Sequence, residues 1–207
     1  MSKLKVDQIS KATGASPAIF TLPAADGTTG QYLKTDGSGI LSWGTPPDQK
    51  ITNASQWRLT ADFTGDATPI GDSVGVIEEV DAPVGFGVLG DSMTQSSGVF
   101  TFPSTGYWLI TFNPLWYTAE ANAYLYGKIK TTPDDSNYSE AARAGSSAND
   151  ATAGSTSATC QYIFDVVSTS THKVKFDIDI AGSTGICQGD TDFNETHMTF
   201  LRLADRP

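Results

Sequence analysis

The chain has 207 residues, 39% of them apolar and only 17% charged, with 20 Gly and 10 Pro. That is enough for one ordinary domain with a full core, or one domain plus a short appendage. The formal net charge of -10 repels phosphates, which excludes nucleic acid as a charge-bound partner, and no run approaches the ~18 apolar residues that membrane insertion requires.

Met1 to Phe20 has no apolar stretch of signal-peptide length, so no secretory signal is expected. Residues 1–47 do not read as a packed domain. Ala25-Asp26-Gly27-Thr28 is echoed ten residues later by Thr35-Asp36-Gly37-Ser38, and Asp-Gly marks tight turns. Between and after the turns lie Tyr32, Leu33, Ile40, Leu41 and Trp43. These predict two short strands with too little apolar surface for a core of their own. Such a segment needs partners, so Tyr32, Leu33, Ile40 and Trp43 are the expected stalk or oligomer contacts. Thr45-Pro46-Pro47-Asp48 is the expected boundary and a semi-rigid joint.

Charge divides at the same place. Residues 1–50 carry five Lys against four Asp, whereas 51–207 carry eight Lys or Arg against nineteen acids, a net of -11. A near-neutral front segment can pack on other proteins with little desolvation cost. An acidic second part stays soluble.

From residue 51 the pattern is strand after strand: Trp57–Thr60, Val74–Ile77, Val84–Leu89, Val99–Phe102, Tyr107–Tyr117, Ala123–Lys130, Cys160–Val167, Lys173–Ile180 and Thr196–Leu203. In Lys173–Ile180 the period is two, with Val174, Phe176, Ile178 and Ile180 on one face. In the last strand Met198 and Phe200 alternate with Thr199, Leu201 and Leu203, which predicts cover on both faces. Residues 134–158 read as a weak hairpin or a long loop, with a turn at Asn149-Asp150. Ser139–Ala144 is the best helical stretch and a poor one. The sum is an all-β antiparallel sandwich over 51–207, with Phe100, Trp108, Ile110, Phe112, Phe176, Ile178 and Phe200 in its core.

Cys160 and Cys187 are too few for a disulfide framework or a cysteine zinc site. They are either bonded to each other or buried as thiols. His172 and His197 are isolated and form no metal constellation. Glu78-Glu79-Asp81, Asp134-Asp135, Asp177 with Asp179, and Asp190 with Asp192 are oxygen-rich, yet none has EF-hand spacing. No nucleotide or phosphate fingerprint appears, and no cofactor is expected. Trp57, Tyr107, Trp108, Phe112, Trp116, Tyr117, Tyr124 and Tyr126 serve either as core or as exposed rings able to stack on sugars.

Gly90-Asp91-Ser92-Met93, Ser147-Ala148-Asn149-Asp150 and Asn194-Glu195-Thr196-His197 together resemble the GDSL hydrolases, which would make Ser92, Asn149 and His197 a catalytic set. That family is a parallel α/β fold, and this chain lacks the helices that parallel crossovers need. Asn194 stands where a carboxylate should orient the histidine. The expectation is therefore no enzyme, with Gly90-Asp91-Ser92 as a turn.

Two other resemblances agree with the strand pattern. Leu22–Gly27, Gln31–Gly39 and Leu41–Gly44 are similar to a phrase found in tail-fibre and other virion structural proteins of bacteriophages. Phe100, Gly106, Trp108, Ile110 and Phe112 resemble the aromatic signature of complement-type globular heads, which share a trimeric jelly roll with tumour necrosis factor. Thr196–Leu203 is similar to the closing core strand of those heads, while Val88 departs from the upstream part of the signature. The resemblances imply a phage virion protein assembled in the host cytoplasm. Residues 1–47 would attach to other virion proteins and a homotrimeric jelly-roll head would touch the host surface, where a glycan is the candidate partner. The rival roles are a capsid decoration protein and a cellular carbohydrate-binding module.

Overall fold

The computed structural model describes residues 6–10, 19–46, 51–85, 87–118, 122–148, 154–181 and 185–206. The chain divides into two compact units, Met1–Gln49 and Lys50–Pro207. Met1–Lys5, Pro47, Asp48, Asn149 and Asp150, on which several sequence expectations fall, lie outside the described residues.

Among its described residues the first unit holds four short strands. β1 (Gln8–Ser10) pairs with β2 (Ile19–Thr21), and β3 (Tyr32–Thr35) forms a hairpin with β4 (Leu41–Gly44). Asp36-Gly37 makes the hairpin turn. The Asp36 carboxylate accepts the N–H groups of Ser38 at 2.8 Å and Ile40 at 3.0 Å, and Gly37 takes φ 84°, a value that Cβ-bearing residues avoid. The expected twin turn is displaced. Its backbone bond closes from Gln31 N–H to Thr28 C=O at 3.1 Å, beyond Asp26-Gly27. Trp43 is pinned by an indole N–H bond to Ala25 C=O at 2.9 Å.

The second unit is an antiparallel sandwich. It begins with β5 (Ala54–Leu59), β6 (Phe63–Thr64), β7 (Ile77–Glu79), β8 (Thr94–Ser96) and β9 (Val99–Thr101). It continues through β10 (Gly106–Asn113), β11 (Leu115–Thr118), β12 (Asn122–Thr132), β13 (Ser139–Ala148) and β14 (Gly154–Ser157). It closes with β15 (Cys160–Val166), β16 (Lys173–Ile180), β17 (Ile186–Cys187) and β18 (His197–Ala204). One five-stranded sheet runs β15-β10-β18-β5-β7 and the other β13-β12-β16-β9-β8, with a four-stranded sheet β14-β11-β17-β6 beside them. No helix occurs among the described residues.

Period-two alternation builds the core. Along β10, Trp108, Ile110 and Phe112 are buried, while Tyr107, Leu109 and Thr111 are half-buried on the other face. Phe100, Phe176, Ile178 and Phe200 are fully buried. Phe100 meets Phe176 at 5.5 Å and Phe200 at 5.2 Å between ring centroids, and Phe112 meets Phe176 at 5.0 Å. Gly127 lets this cluster close, because a Cβ there would lie 2.6 Å from Pro114 and 3.0 Å from the Phe112 ring.

Residues 134–158, read as a weak hairpin or a long loop, hold β13 and β14, which pair with β12 and β11 in different sheets. Ser139–Ala144, the poor helical stretch, opens β13, where Ala142 and Ala144 pack against the core. Four sequence expectations are corrected. Tyr107–Tyr117 is two strands, because Pro114 has no N–H for the ladder and the chain changes sheets there. Among the described residues of 84–89 no strand forms; Leu89 makes a bridge to Ala54, and Val84 is exposed. The strand expected at Val74–Ile77 starts at Ile77. The closing strand also differs: Met198 and Phe200 are buried, but Leu201 is only half-buried and Leu203 is exposed.

Candidate functional site

The outer face of the β15-β10-β18-β5 sheet follows from its register. Side chains pointing away from the core stand in rows across the strands. Ile163, Leu109, Leu201 and Ala54 form an apolar row, and Tyr107 and Leu203 extend it toward one end. Ile163 is 57% exposed and Leu203 40%, while Tyr107, Leu109, Leu201 and Ala54 are half-buried, so the single chain leaves this row only partly covered.

The next row is polar. Gln161 donates to the Thr111 hydroxyl at 3.3 Å, and Gln56 donates to the Thr199 hydroxyl at 3.0 Å. One row further, Thr159, Asn113, His197 and Arg58 line up. The Thr159 hydroxyl donates to Asn113 Oδ1 at 2.7 Å, and Asn113 Nδ2 lies 3.2 Å from His197 Nε2. His197 Nδ1 lies 2.9 Å from the Glu195 carbonyl. A carbonyl only accepts, so Nδ1 carries the proton and Nε2 accepts from Asn113.

Around this chain of bonds is an open pocket of about 320 Å³, lined by Asn113, Pro114, Leu115, Ser157, Ala158, Thr159, Asn194, Glu195 and His197. It contains no Lys or Arg. The Glu195 carboxyl is held above its usual range by partial burial, reinforced by the negative charges of Asp62 and Asp190.

Arg58, at the far end of the row, is fully buried. Its guanidinium donates to Glu78, Asp81 and the Ala82 carbonyl, each at 2.8 Å. Lys130 pairs with Asp177 and Lys128 with Asp179, both at 2.7 Å, across the outer face of the other five-stranded sheet. The carboxylates singled out in the sequence are thus largely engaged with cations or turns. Among the described residues no three metal-ligating side chains gather.

The hydrolase constellation is not assembled. The sheets are antiparallel, and both His197 ring nitrogens are engaged by Asn113 and Glu195. Ser92 Oγ is buried without a hydrogen-bond partner among the described residues, and Asn149 lies outside them. Cys160 and Cys187 are unpaired buried thiols, raised by burial to about 11 and about 12. Of the aromatic residues, Trp108, Phe112 and Trp116 are core, whereas Tyr124 is exposed and stacks on Tyr126 at 4.9 Å. In the first unit Tyr32 is 46% exposed, Leu33 44%, Ile40 55% and Trp43 36%.

No protein-family model and no curated protein sequence matches the chain. Solved structures do. Eiger TNF from S. frugiperda matches with a TM-score of 0.55 at 12% identity, over 76% of this chain and 96% of that one. Murine APRIL matches with a TM-score of 0.49 at 10% identity, over 73% of this chain and 98% of that one. The first likeness establishes a TNF-like jelly-roll fold; at such identity it carries no function across.

Proposed function

We propose that the chain is a non-enzymatic structural component of a bacteriophage virion, a fibre or spike subunit. Residues 1–47 attach to other virion proteins, and the sandwich forms a homotrimeric head that meets the host surface. The observation that carries this reading is the apolar surface a single chain leaves uncovered. In the first unit it is Tyr32, Leu33, Ile40 and Trp43; on the sandwich it is the exposed Ile163 and Leu203, on the face that also carries the half-buried Leu109 and Leu201. Apolar rows on a sheet face are covered economically when copies pack around a closed axis. The virion assignment is supported by the phrase Leu22–Gly44 and its resemblance to tail-fibre proteins.

The test is deletion of residues 1–47. A folded, soluble head that no longer enters particles is the expected result. Incorporation at normal copy number would move the attachment surface into the sandwich. A map of the particle that places the chain on the capsid shell would make it a decoration protein instead.

A further inference from the structure

We infer that the pocket between Asn113, Ser157, Thr159, Asn194, Glu195 and His197 binds one non-acidic pyranose ring; that the ring belongs to a host-surface glycan rests on the proposed function. Its volume of about 320 Å³ is at the small end of the range for small-molecule sites and suits one ring. With both imidazole nitrogens taken up inside the protein, the lining still offers a ligand two amides, two hydroxyls and a carboxylate, donors and acceptors side by side. That mixture matches neighbouring hydroxyls, each of which donates and accepts at once. Pro114, Leu115 and Ala158 add an apolar wall for the C–H face of the ring.

Other ligand classes fit less well. Phosphate, sulfate or a uronic acid would meet Glu195, with Asp62 and Asp190 behind it, and no cation in the lining. A metal ion would find only Glu195 and a histidine whose two nitrogens are already engaged. Hydrolysis of a glycoside uses two carboxyl groups flanking the scissile bond, and the lining supplies one, Glu195.

The pocket is also preorganised. The bonds from Thr159 to Asn113 to His197 to the Glu195 carbonyl fix three lining side chains before any ligand arrives, which lowers the ordering cost of binding. His197 precedes Leu201 by four residues on β18, about 13 Å along the strand, so the pocket and the Leu109–Leu201 row lie at different ends of one sheet face.

The test is saturation-transfer NMR on the full chain with methyl glycosides of glucose, galactose, mannose and N-acetylglucosamine, and with methyl glucuronide as the acidic control. At least one of the four should receive saturation at millimolar concentration, and the glucuronide should not. Asn194→Ala and Glu195→Gln should each weaken that binding by about fivefold or more, the loss of one ligand hydrogen bond. Circular dichroism checks that each variant folds; Thr159→Val replaces either one that does not. Silence from all four glycosides, equal binding of the glucuronide, or variants that bind like the native chain would each overturn the assignment. The virion role is read separately from particle incorporation, so either reading can fail without the other.

Discussion

Leu109 stands opposite Leu201 across the β10–β18 ladder, on the face turned away from the core. Ile163 flanks Leu109 on its other side. Three branched apolar side chains in one row are costly to leave in water, at about 25 cal/mol for each Å² exposed. If copies of the chain cover this row, a charge placed in it must separate them. The native chain should sediment at three times its 21.9 kDa mass at micromolar concentration, and Leu201→Lys at the single-chain mass. Leu201 points away from the core, so the variant should keep the native circular dichroism. A native chain that sediments at the single-chain mass ends the trimer proposal.

The core gives a second prediction. Phe176 touches Phe100, Phe112 and Phe200, and so ties both five-stranded sheets together. Phe176→Ala removes contacts with all three rings at once. It should cost about 3–5 kcal/mol of unfolding free energy in urea, with the slope against denaturant unchanged. A cost under about 1 kcal/mol would mean that the aromatic cluster is not the seat of stability.

How much of this was legible beforehand depends on the range of the cause. The alternation in Lys173–Ile180 is local, and it states which side chains face inward before any partner strand is known. The all-β antiparallel class follows from many such stretches. The split at Pro114 was also readable, since a missing N–H breaks a ladder, but the hydrophobic run around it hid the break. Ser139–Ala148 reads only as part of a weak hairpin or a loop, because its small residues carry little pattern; its conformation comes from pairing with β12. The pocket is the least legible feature. Asn113, Thr159 and the Glu195–His197 pair come from three separate stretches, and the register of β10 between β15 and β18 brings them together.

Arg58 yields the third prediction. Its guanidinium is fully buried, and of its two carboxylate partners Glu78 is 30% exposed and Asp81 73%. Removing a partner leaves part of a buried charge uncompensated, and the less hydrated partner matters more. Glu78→Ala should therefore destabilise the sandwich by about 1–2 kcal/mol after allowance for solvent screening, and Asp81→Ala by less than about 1 kcal/mol. Thermal or urea unfolding of the two variants side by side decides it. The reverse order would place the main compensation of Arg58 at Asp81 and the Ala82 carbonyl.

The last prediction concerns acid stability. The carboxylate of Asp134 organises the turn between β12 and β13. It accepts the Asn137 side-chain amide at 2.7 Å, the backbone N–H groups of Asn137 at 2.8 Å and Ser136 at 3.0 Å, and the Thr132 hydroxyl at 2.7 Å. These bonds favour the ionised form and hold its pKa well below the usual aspartate range, with the Asn137 side chain as the largest cause. A group whose pKa is lower in the folded state stabilises the fold while ionised. The contribution is complete above the ordinary aspartate value of about 3.9 and is lost as pH falls below it toward the lowered value. Asp134→Asn cannot ionise and lacks this contribution at every pH. Its thermal midpoint should lie below that of the native chain at neutral pH, and the gap should shrink as the solution is acidified through about pH 4 to about pH 2. Midpoints that run parallel over that range would mean that the turn is held by the geometry of the side chain and not by its charge.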